Sequence, residues 1–218
     1  MSSDLFDAVQ CGDVARVERA LACGADPNVA DGGKLGWRPL HAAIEAIGED
    51  GAPLELLRVL LNGGAQVEVW DRRQEATPLL MAVFRAQPDS VRLLLAHGAN
   101  PDVVGLEGDT PILWAILQED DEITGILLDH GIGASVDRAG TIEGTTPLGT
   151  AARYGRLELV ERLLAAGADL AVTDHDRMTA EERTQRALSE ATGELAERLE
   201  RVIERLQEAR LEAGRLER

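Results

Sequence analysis

The chain has 218 residues, of which 39 are acidic and 22 basic, so that its formal net charge is −17. This charge repels nucleic-acid phosphates and anionic lipid headgroups, so we expect neither nucleic acid nor a membrane surface as a partner. Apolar residues make up 44% of the chain, enough for a folded core, while no apolar run approaches the roughly 18 residues of a membrane span; we expect a cytoplasmic protein.

From the N-terminus onward, the chain repeats one pattern that predicts two short helices. Thr77, Thr110 and Thr146 are each followed by Pro and an apolar residue, and Arg38 occupies the same place in an earlier copy. Thr at the N-cap and Pro in the first turn are typical of a helix start. A second apolar stretch follows and ends at a Gly that favours a left-handed C-cap. The closing glycines are Gly24, Gly64, Gly98, Gly131 and Gly167.

These motifs resemble the ankyrin-repeat family, whose units of about 33 residues open with T-P-L-H-x-A and close with L-L-x-x-G-A-D-x-N. The closest matches lie at residues 39–43 for the opening motif and at 21–28 and 95–102 for the closing motif. The resemblance implies an all-α ankyrin-repeat solenoid, made of stacked helix-turn-helix units with projecting hairpin loops, and makes His41 the motif histidine that braces the turn. The predicted repeat domain covers residues 1–177, in units of about 3–36, 37–75, 76–108, 109–144 and 145–177.

Two predicted loops are longer than the repeat requires. Five extra residues lie within 47–53, and the segment 131–147 is the longest of the connections between units. Insertions in repeat proteins are found in loops that often lie on the binding face. Neutral drift in a solvated loop is the alternative for both segments.

Residues 178–218 depart from the repeat and are predicted to form a capping helix and a long C-terminal helical extension. Thr179 and Glu182 have the spacing of a capping box. From 188 to 216, apolar residues alternate three and four apart, as in a heptad repeat. Two interpretations stay open: the apolar seam folds back onto the last repeat, or it forms a homodimer through residues 188–216.

The sequence contains no recognisable catalytic, cofactor-binding or metal-binding pattern. Cys11 and Cys23 lack metal-ligand spacing, and the glycine-rich segments match neither the dinucleotide nor the P-loop motif. Asp174, His175 and Asp176 lack the other ligands of a cation-binding loop, so a solvated loop is expected there. We therefore expect no enzyme, no cofactor and no metal.

A partner-binding stripe is predicted on the first helix of units three to five, because the resemblance implies that first helices line a concave groove. The positions two, five and six after each helix-opening apolar residue fall on one helix face. Trp, Tyr and Arg among them are the residue types most enriched at interface hot spots. Packing between units is the alternative for the apolar members. The stripe consists of Met81, Phe84, Arg85, Trp114, Leu117, Gln118, Thr150, Arg153 and Tyr154.

Acidic residues form a second candidate surface. A dense run includes Glu119, Asp120 and Asp121, and further acids lie on the predicted loops. A solubilising face is the simpler interpretation; if the surface is functional, the partner is basic. The loop acids are Asp31, Asp71, Glu107, Asp109, Asp137 and Glu143.

These features predict a non-enzymatic protein–protein interaction module of a bacterial cytoplasm. It is expected to bind a basic protein through the groove and loops, for example a toxin, in an immunity or antitoxin role. One alternative is a small-molecule-binding or enzymatic use of the groove. Another is an assembly scaffold that dimerises through the C-terminal helix.

Overall fold

The computed structural model describes residues 2–32, 36–71, 76–105, 108–140 and 144–216. All regular elements in these ranges are helices, and no strand occurs among them, in agreement with the predicted all-α class. No helix in the described ranges has both the length and the apolar character needed to cross a membrane. The chain divides into two compact units, Met1–Leu106 and Glu107–Arg218, each described separately below.

The first unit contains three helix pairs, formed by α1 (Ser2–Gln10), α2 (Val14–Ala22), α3 (Pro39–Asp50), α4 (Glu55–Asn62), α5 (Pro78–Phe84) and α6 (Pro88–Ala96). Each first helix packs against the next one, so that α3 contacts both α1 and α5, while α2 packs against α4. Leu5, Leu40 and Leu79 occupy equivalent places in these first helices and are fully buried between neighbours. Burial of this recurring Leu therefore holds successive pairs together.

The extra residues of the second repeat lengthen a helix, where a loop was expected over 47–53. α3 has 12 residues, compared with 7 in α5, and ends at Gly51 with φ +66°. Residues 47–50 are therefore helical. The lengthened helix receives the side chain of Gln87, whose Nε2 donates to the carbonyl of Ile44 over 2.7 Å. A Cβ at Gly48 would lie 2.7 Å from that nitrogen, so this contact requires Gly.

The second unit also contains three helix pairs, formed by α7 (Pro111–Leu117), α8 (Asp121–His130), α9 (Pro147–Arg153), α10 (Leu157–Ala165), α11 (Ala180–Glu190) and α12 (Glu194–Leu216). α9 packs between α7 and α11, and α12 packs on α10. The pair α11–α12 thus occupies the place of a sixth repeat. In the long connection 131–147, Ala134–Val136 form a short 3-10 helix with Val136 buried, and residues 141–143 lie outside the described part.

The predicted helix ends are confirmed. The hydroxyls of Thr77, Thr110 and Thr146 each accept the backbone N–H three residues ahead. Thr179 and Glu182 form the predicted capping box, in which each side chain accepts the N–H of the other residue. The five closing glycines, from Gly24 to Gly167, have φ between +84° and +95°, a conformation that strains any other residue.

The C-terminal segment folds back onto the last repeat, as the first of the two interpretations expected. The capping helix and the long C-terminal helix are separate elements, because a break at 191–193 separates α11 from α12, with Gly193 at φ +60°. Leu199, Val202 and Leu206 are at most 1% exposed, and α12 packs against α9, α10 and α11. These three residues of the apolar seam are therefore buried within one chain.

Candidate functional site

In the first unit, the predicted stripe contains two exposed residues, Phe84 and Arg85. Phe84 is 54% exposed, whereas Met81 is only 8% exposed and presents little surface to a partner. Arg85 pairs with Glu45 at 2.5 Å and with Glu49 at 3.7 Å, both on α3. The guanidinium therefore already has two carboxylate partners within its own unit.

The greater length of α3 adds a second carboxylate to this ion-pair cluster. The added turn contains Glu49, which lies one turn after Glu45 on the helix face next to α5. Burial raises the pKa of Glu45, the nearby charge of Glu49 adds to the rise, and Arg85 opposes it. The length of α3 was not predicted, and the contact between Arg85 and Glu49 was missed with it.

In the second unit, five residues of the stripe lie on two packed first helices. Trp114 and Leu117 of α7 are half-buried, and Gln118, just after α7, is exposed. Tyr154, just after α9, is 40% exposed, and Arg153 is half-buried. α7 packs directly against α9. We call Trp114, Leu117, Gln118, Arg153 and Tyr154 the α7–α9 face.

Thr150 is absent from this face because it is fully buried. Its hydroxyl donates to the carbonyl of Thr146 over 3.0 Å and lies 2.7 Å from the hydroxyl of Thr145. Its predicted exposure on the stripe is therefore wrong. The side chain stabilises the first turn of α9 and the segment before it.

Arg153 and Tyr154 hold each other in place on the α7–α9 face. The Arg153 guanidinium carbon lies 4.8 Å from the centre of the Tyr154 ring, and one of its terminal nitrogens donates to the phenol oxygen over 2.8 Å. Cation–π contacts of this kind contribute about 0.5–1 kcal/mol at exposed sites. The pair thus presents an ordered aromatic and cationic group.

The acidic run after α7 has structural roles that the sequence did not indicate. Asp120 accepts the backbone N–H of Ile123 over 2.9 Å and caps α8, and Asp121 forms an ion pair with Arg156. Burial lowers the pKa of Arg156, and the negative charge of Glu119 opposes that shift. Glu119 is exposed in the turn between α7 and α8 and has φ +57°.

Several loop acids also face inward. Asp71 and Asp109 are buried, which corrects their assignment to the surface. Asp137 is half-buried and accepts the backbone N–H of Asp169 over 2.8 Å, and burial raises its pKa. Glu107 and Glu143 lie outside the described residues. The partner-facing negative surface is therefore smaller than the sequence suggested.

The Asp174–Asp176 segment is an anchor for α11, where a solvated loop was expected. Asp174 is buried and accepts from Nε of Arg183 over 2.7 Å, and Asp176 accepts from the same guanidinium over 2.9 Å. These carboxylates therefore hold an internal cation. Across the described ranges, no group of three or more His, Cys, Asp or Glu is arranged to hold a metal ion.

The structure also forms a cleft that no sequence motif indicated. It has a volume of about 520 Å³ and lies between the end of α9 and the segment that runs from α11 into α12. Arg153 and Tyr154 line one side, and Arg186, Glu190 and Leu195 line the other. Residues some 40 positions apart meet here because α11 packs on α9, which sequence spacing alone does not reveal.

Comparison with known proteins agrees with this architecture. Protein PhlB of Serratia liquefaciens is 34% identical over 174 residues, which cover 73% of this chain and 74% of PhlB. An ankyrin repeat protein of fowlpox virus is 31% identical over 169 residues, and the match spans 76% of this chain but 36% of that relative.

Two solved structures share the fold. One is a chain of the complex between the predatory endopeptidase Bd0816 of Bdellovibrio bacteriovorus and the immunity protein Bd3460; it is 27% identical, with a TM-score of 0.68, and the match covers 92% of this chain and 98% of that one. The other is the ankyrin repeat protein EF0377, which is 19% identical, with a TM-score of 0.73 and coverage of 93% and 97%.

The family model for ankyrin repeats matches residues 5–105 and 99–174, most of the predicted repeat domain. Ankyrin repeats are protein–protein interaction modules, which agrees with the exposed aromatic and arginine side chains of the first helices. The chain belongs to the ankyrin-repeat family.

Proposed function

We propose that this chain is a non-enzymatic cytoplasmic module that binds a protein partner with a basic surface. The partner is an enzyme whose activity the bound chain blocks, as an immunity protein or antitoxin does. The α7–α9 face supplies the principal contact, and the net negative charge of the chain favours a cationic partner.

The observation that carries this proposal is the α7–α9 face itself. The fold does not require an exposed Tyr154 or a half-exposed Trp114, yet Trp114 lies on α7 and Tyr154 directly follows α9, which packs against α7. Large amphipathic side chains with an ordered arginine beside them provide the composition of an interface hot spot. Similarity to a chain of a complex that pairs an endopeptidase with an immunity protein supports the inhibitory role.

Affinity capture from the native cell tests the proposal. The wild type is expected to retain one protein, and Trp114→Ala is expected to reduce its recovery about ten-fold, as truncation of a hot spot does. Leu211→Ala is the matched control, because Leu211 is 65% exposed and lies outside the α7–α9 face. Circular dichroism checks that both variants are folded. Equal recovery with both variants contradicts the role of the face.

The retained protein is then assayed alone and with the chain. We expect a catalytic activity that the wild-type chain suppresses, and an association rate that falls about ten-fold between low and moderate salt, because salt screens the attraction between opposite charges. An unaffected activity contradicts the inhibitory role. An association rate that does not respond to salt contradicts the basic surface.

A further inference from the structure

We infer that the cleft between α9 and the α11–α12 segment binds a carboxylate of the partner protein, carried on a short segment with a neighbouring apolar side chain. This inference rests on the proposed function, since it assigns a second contact point to the same protein partner. It also assigns a binding role to residues of the C-terminal helix pair.

Arg186 supplies the charge that selects a carboxylate. Its side chain is exposed at the cleft, and no carboxylate in the described part of the chain pairs with its guanidinium. Arg183, deeper in the cleft, differs because its guanidinium is already bonded to Asp174 and Asp176. In this cleft, Arg183 is neutralised by its two carboxylate partners, whereas the guanidinium of Arg186 can bind a carboxylate of another protein.

Arg153 and Tyr154 order the opposite side. The guanidinium of Arg153 lies along the Tyr154 ring and bonds to the phenol oxygen, so little side-chain freedom is lost when a ligand binds. Arg153 and Arg186 both line the same cleft. A carboxylate between them accepts charge-assisted hydrogen bonds, which are about twice as strong as neutral ones.

The apolar part of the cleft explains why a segment of protein fits better than a free anion. Tyr154 is 40% exposed and Leu195 is 38% exposed, and both line the cleft. Burial of this surface against an apolar side chain contributes about 25 cal/mol for each Å² removed from water. The volume of about 520 Å³ accommodates two adjacent side chains.

Charge also makes this contact specific. The chain has a net charge of −17, so a carboxylate approaching most of its surface is repelled. A basic partner that places one acidic residue in this cleft can therefore bind this chain in only one alignment. Glu190, one helical turn after Arg186, lines the cleft and partly opposes the anion.

A peptide titration of the intact chain tests the inference without the partner. The probe is acetyl-Ala-Leu-Asp-Ala-amide, followed by NMR, and the matched control is the same peptide with Asn in place of Asp. We expect saturable shifts of the Tyr154 ring and Arg186 side-chain signals, and about ten-fold weaker binding of the Asn peptide.

Two variants change the affinity in opposite directions, which separates binding from misfolding. Arg186→Gln is expected to weaken binding of the Asp peptide about ten-fold, and Glu190→Gln to strengthen it about two-fold, since each removes one charge of the cleft. Equal binding of the two peptides, no binding at about 10 mM, or an unchanged affinity in Arg186→Gln overturns the inference.

The experiments distinguish a failure of this inference from a failure of the proposed function. If the Asp peptide binds as expected but affinity capture recovers no protein, the proposed function fails while the cleft remains a carboxylate site. If a partner is captured and Arg186→Gln neither weakens its capture nor affects the peptide, the cleft assignment fails while the proposed function stands.

Discussion

Arg183 on α11 and Asp174 in the preceding loop form a buried ion pair that attaches the C-terminal helices to the fifth repeat. Nε of Arg183 donates to Oδ2 of Asp174 over 2.7 Å, and Oδ1 accepts the backbone N–H groups of Asp176 and Met178. Burial alone lowers the pKa of Arg183, but its hydrogen bonds to Asp174 and Asp176 outweigh that effect and raise it. Both oxygens of the buried carboxylate are thus satisfied.

Arg183→Ala is expected to destabilise the chain by about 3 kcal/mol, because it leaves the buried carboxylate of Asp174 without its cation. Urea unfolding measures the change. Arg186→Ala, three residues further along the same helix, is the matched control and is expected to cost about 0.5 kcal/mol or less, since Arg186 is exposed. Equal losses in the two variants contradict a structural role for the ion pair.

Gly155→Ala is expected to destabilise the chain more than Gly193→Ala. Both glycines have positive φ, +66° and +60°, so each substitution strains the backbone by about 1 kcal/mol. A Cβ at Gly155 also lies 3.1 Å from Cβ of Arg198 on α12, whereas a Cβ at Gly193 has no neighbour within 4 Å. The additional loss at Gly155, about 1 kcal/mol or more, reports the close packing of α12.

That comparison uses equilibrium unfolding of both variants beside the wild type. If Gly193→Ala is as unstable as Gly155→Ala, backbone strain explains the whole effect, and the result contradicts a close approach of α12 to Gly155. Circular dichroism before unfolding checks that the helical content of each variant is retained.

Stability is expected to fall as the pH drops below about 6.5, because of His41. This buried side chain accepts the N–H of Arg38 at Nδ1 and donates from Nε2 to the carbonyl of Ala76, an arrangement that requires the neutral ring. Burial lowers its pKa below the ordinary value of 6.5, and the bond to Ala76 opposes the shift. As the pH falls, His41 is therefore protonated in the unfolded chain before it is protonated in the folded chain, and this difference favours unfolding.

The measurement is the free energy of unfolding of wild type and His41→Gln between about pH 7.5 and 5.5. This interval extends about one pH unit above and below the ordinary histidine pKa of 6.5. The variant is less stable throughout, but its stability is expected to decline less steeply with falling pH. Parallel curves for the two proteins contradict the assignment of this dependence to His41.

Leu206→Ala is expected to cost about 3 kcal/mol, because Leu206 is buried where α12 packs on the rest of its unit. Leu211→Ala, on the same helix but 65% exposed, is expected to change stability by less than about 0.5 kcal/mol. Light scattering of the wild type is expected to give 23.4 kDa at all concentrations, since Leu199, Val202 and Leu206 of the seam are buried within the chain. A dimer mass that Leu206→Ala reduces contradicts this packing.

The candidate site was only partly predictable from the sequence. Helical periodicity placed Trp114 and Tyr154 on first helices, and both remain at least partly exposed. Periodicity does not show what lies opposite a side chain, so the burial of Met81 was only an alternative and that of Thr150 was not predicted. The cleft at Arg186 was missed for the same reason, because it depends on the packing of α11 against α9.

Local sequence signals were sufficient to predict the helix starts at Thr77 and Thr110, because each Thr hydroxyl accepts an N–H within its own first turn. The glycines that follow the second helices were predictable for the same reason, because glycine adopts positive φ without strain. Such signals act over a few residues and need no distant partner. Tertiary packing alone decided which charges are buried and paired, and whether the seam of α12 faces its own chain. These outcomes depend on desolvation, because a side chain loses contact with water only when residues distant in the sequence pack over it.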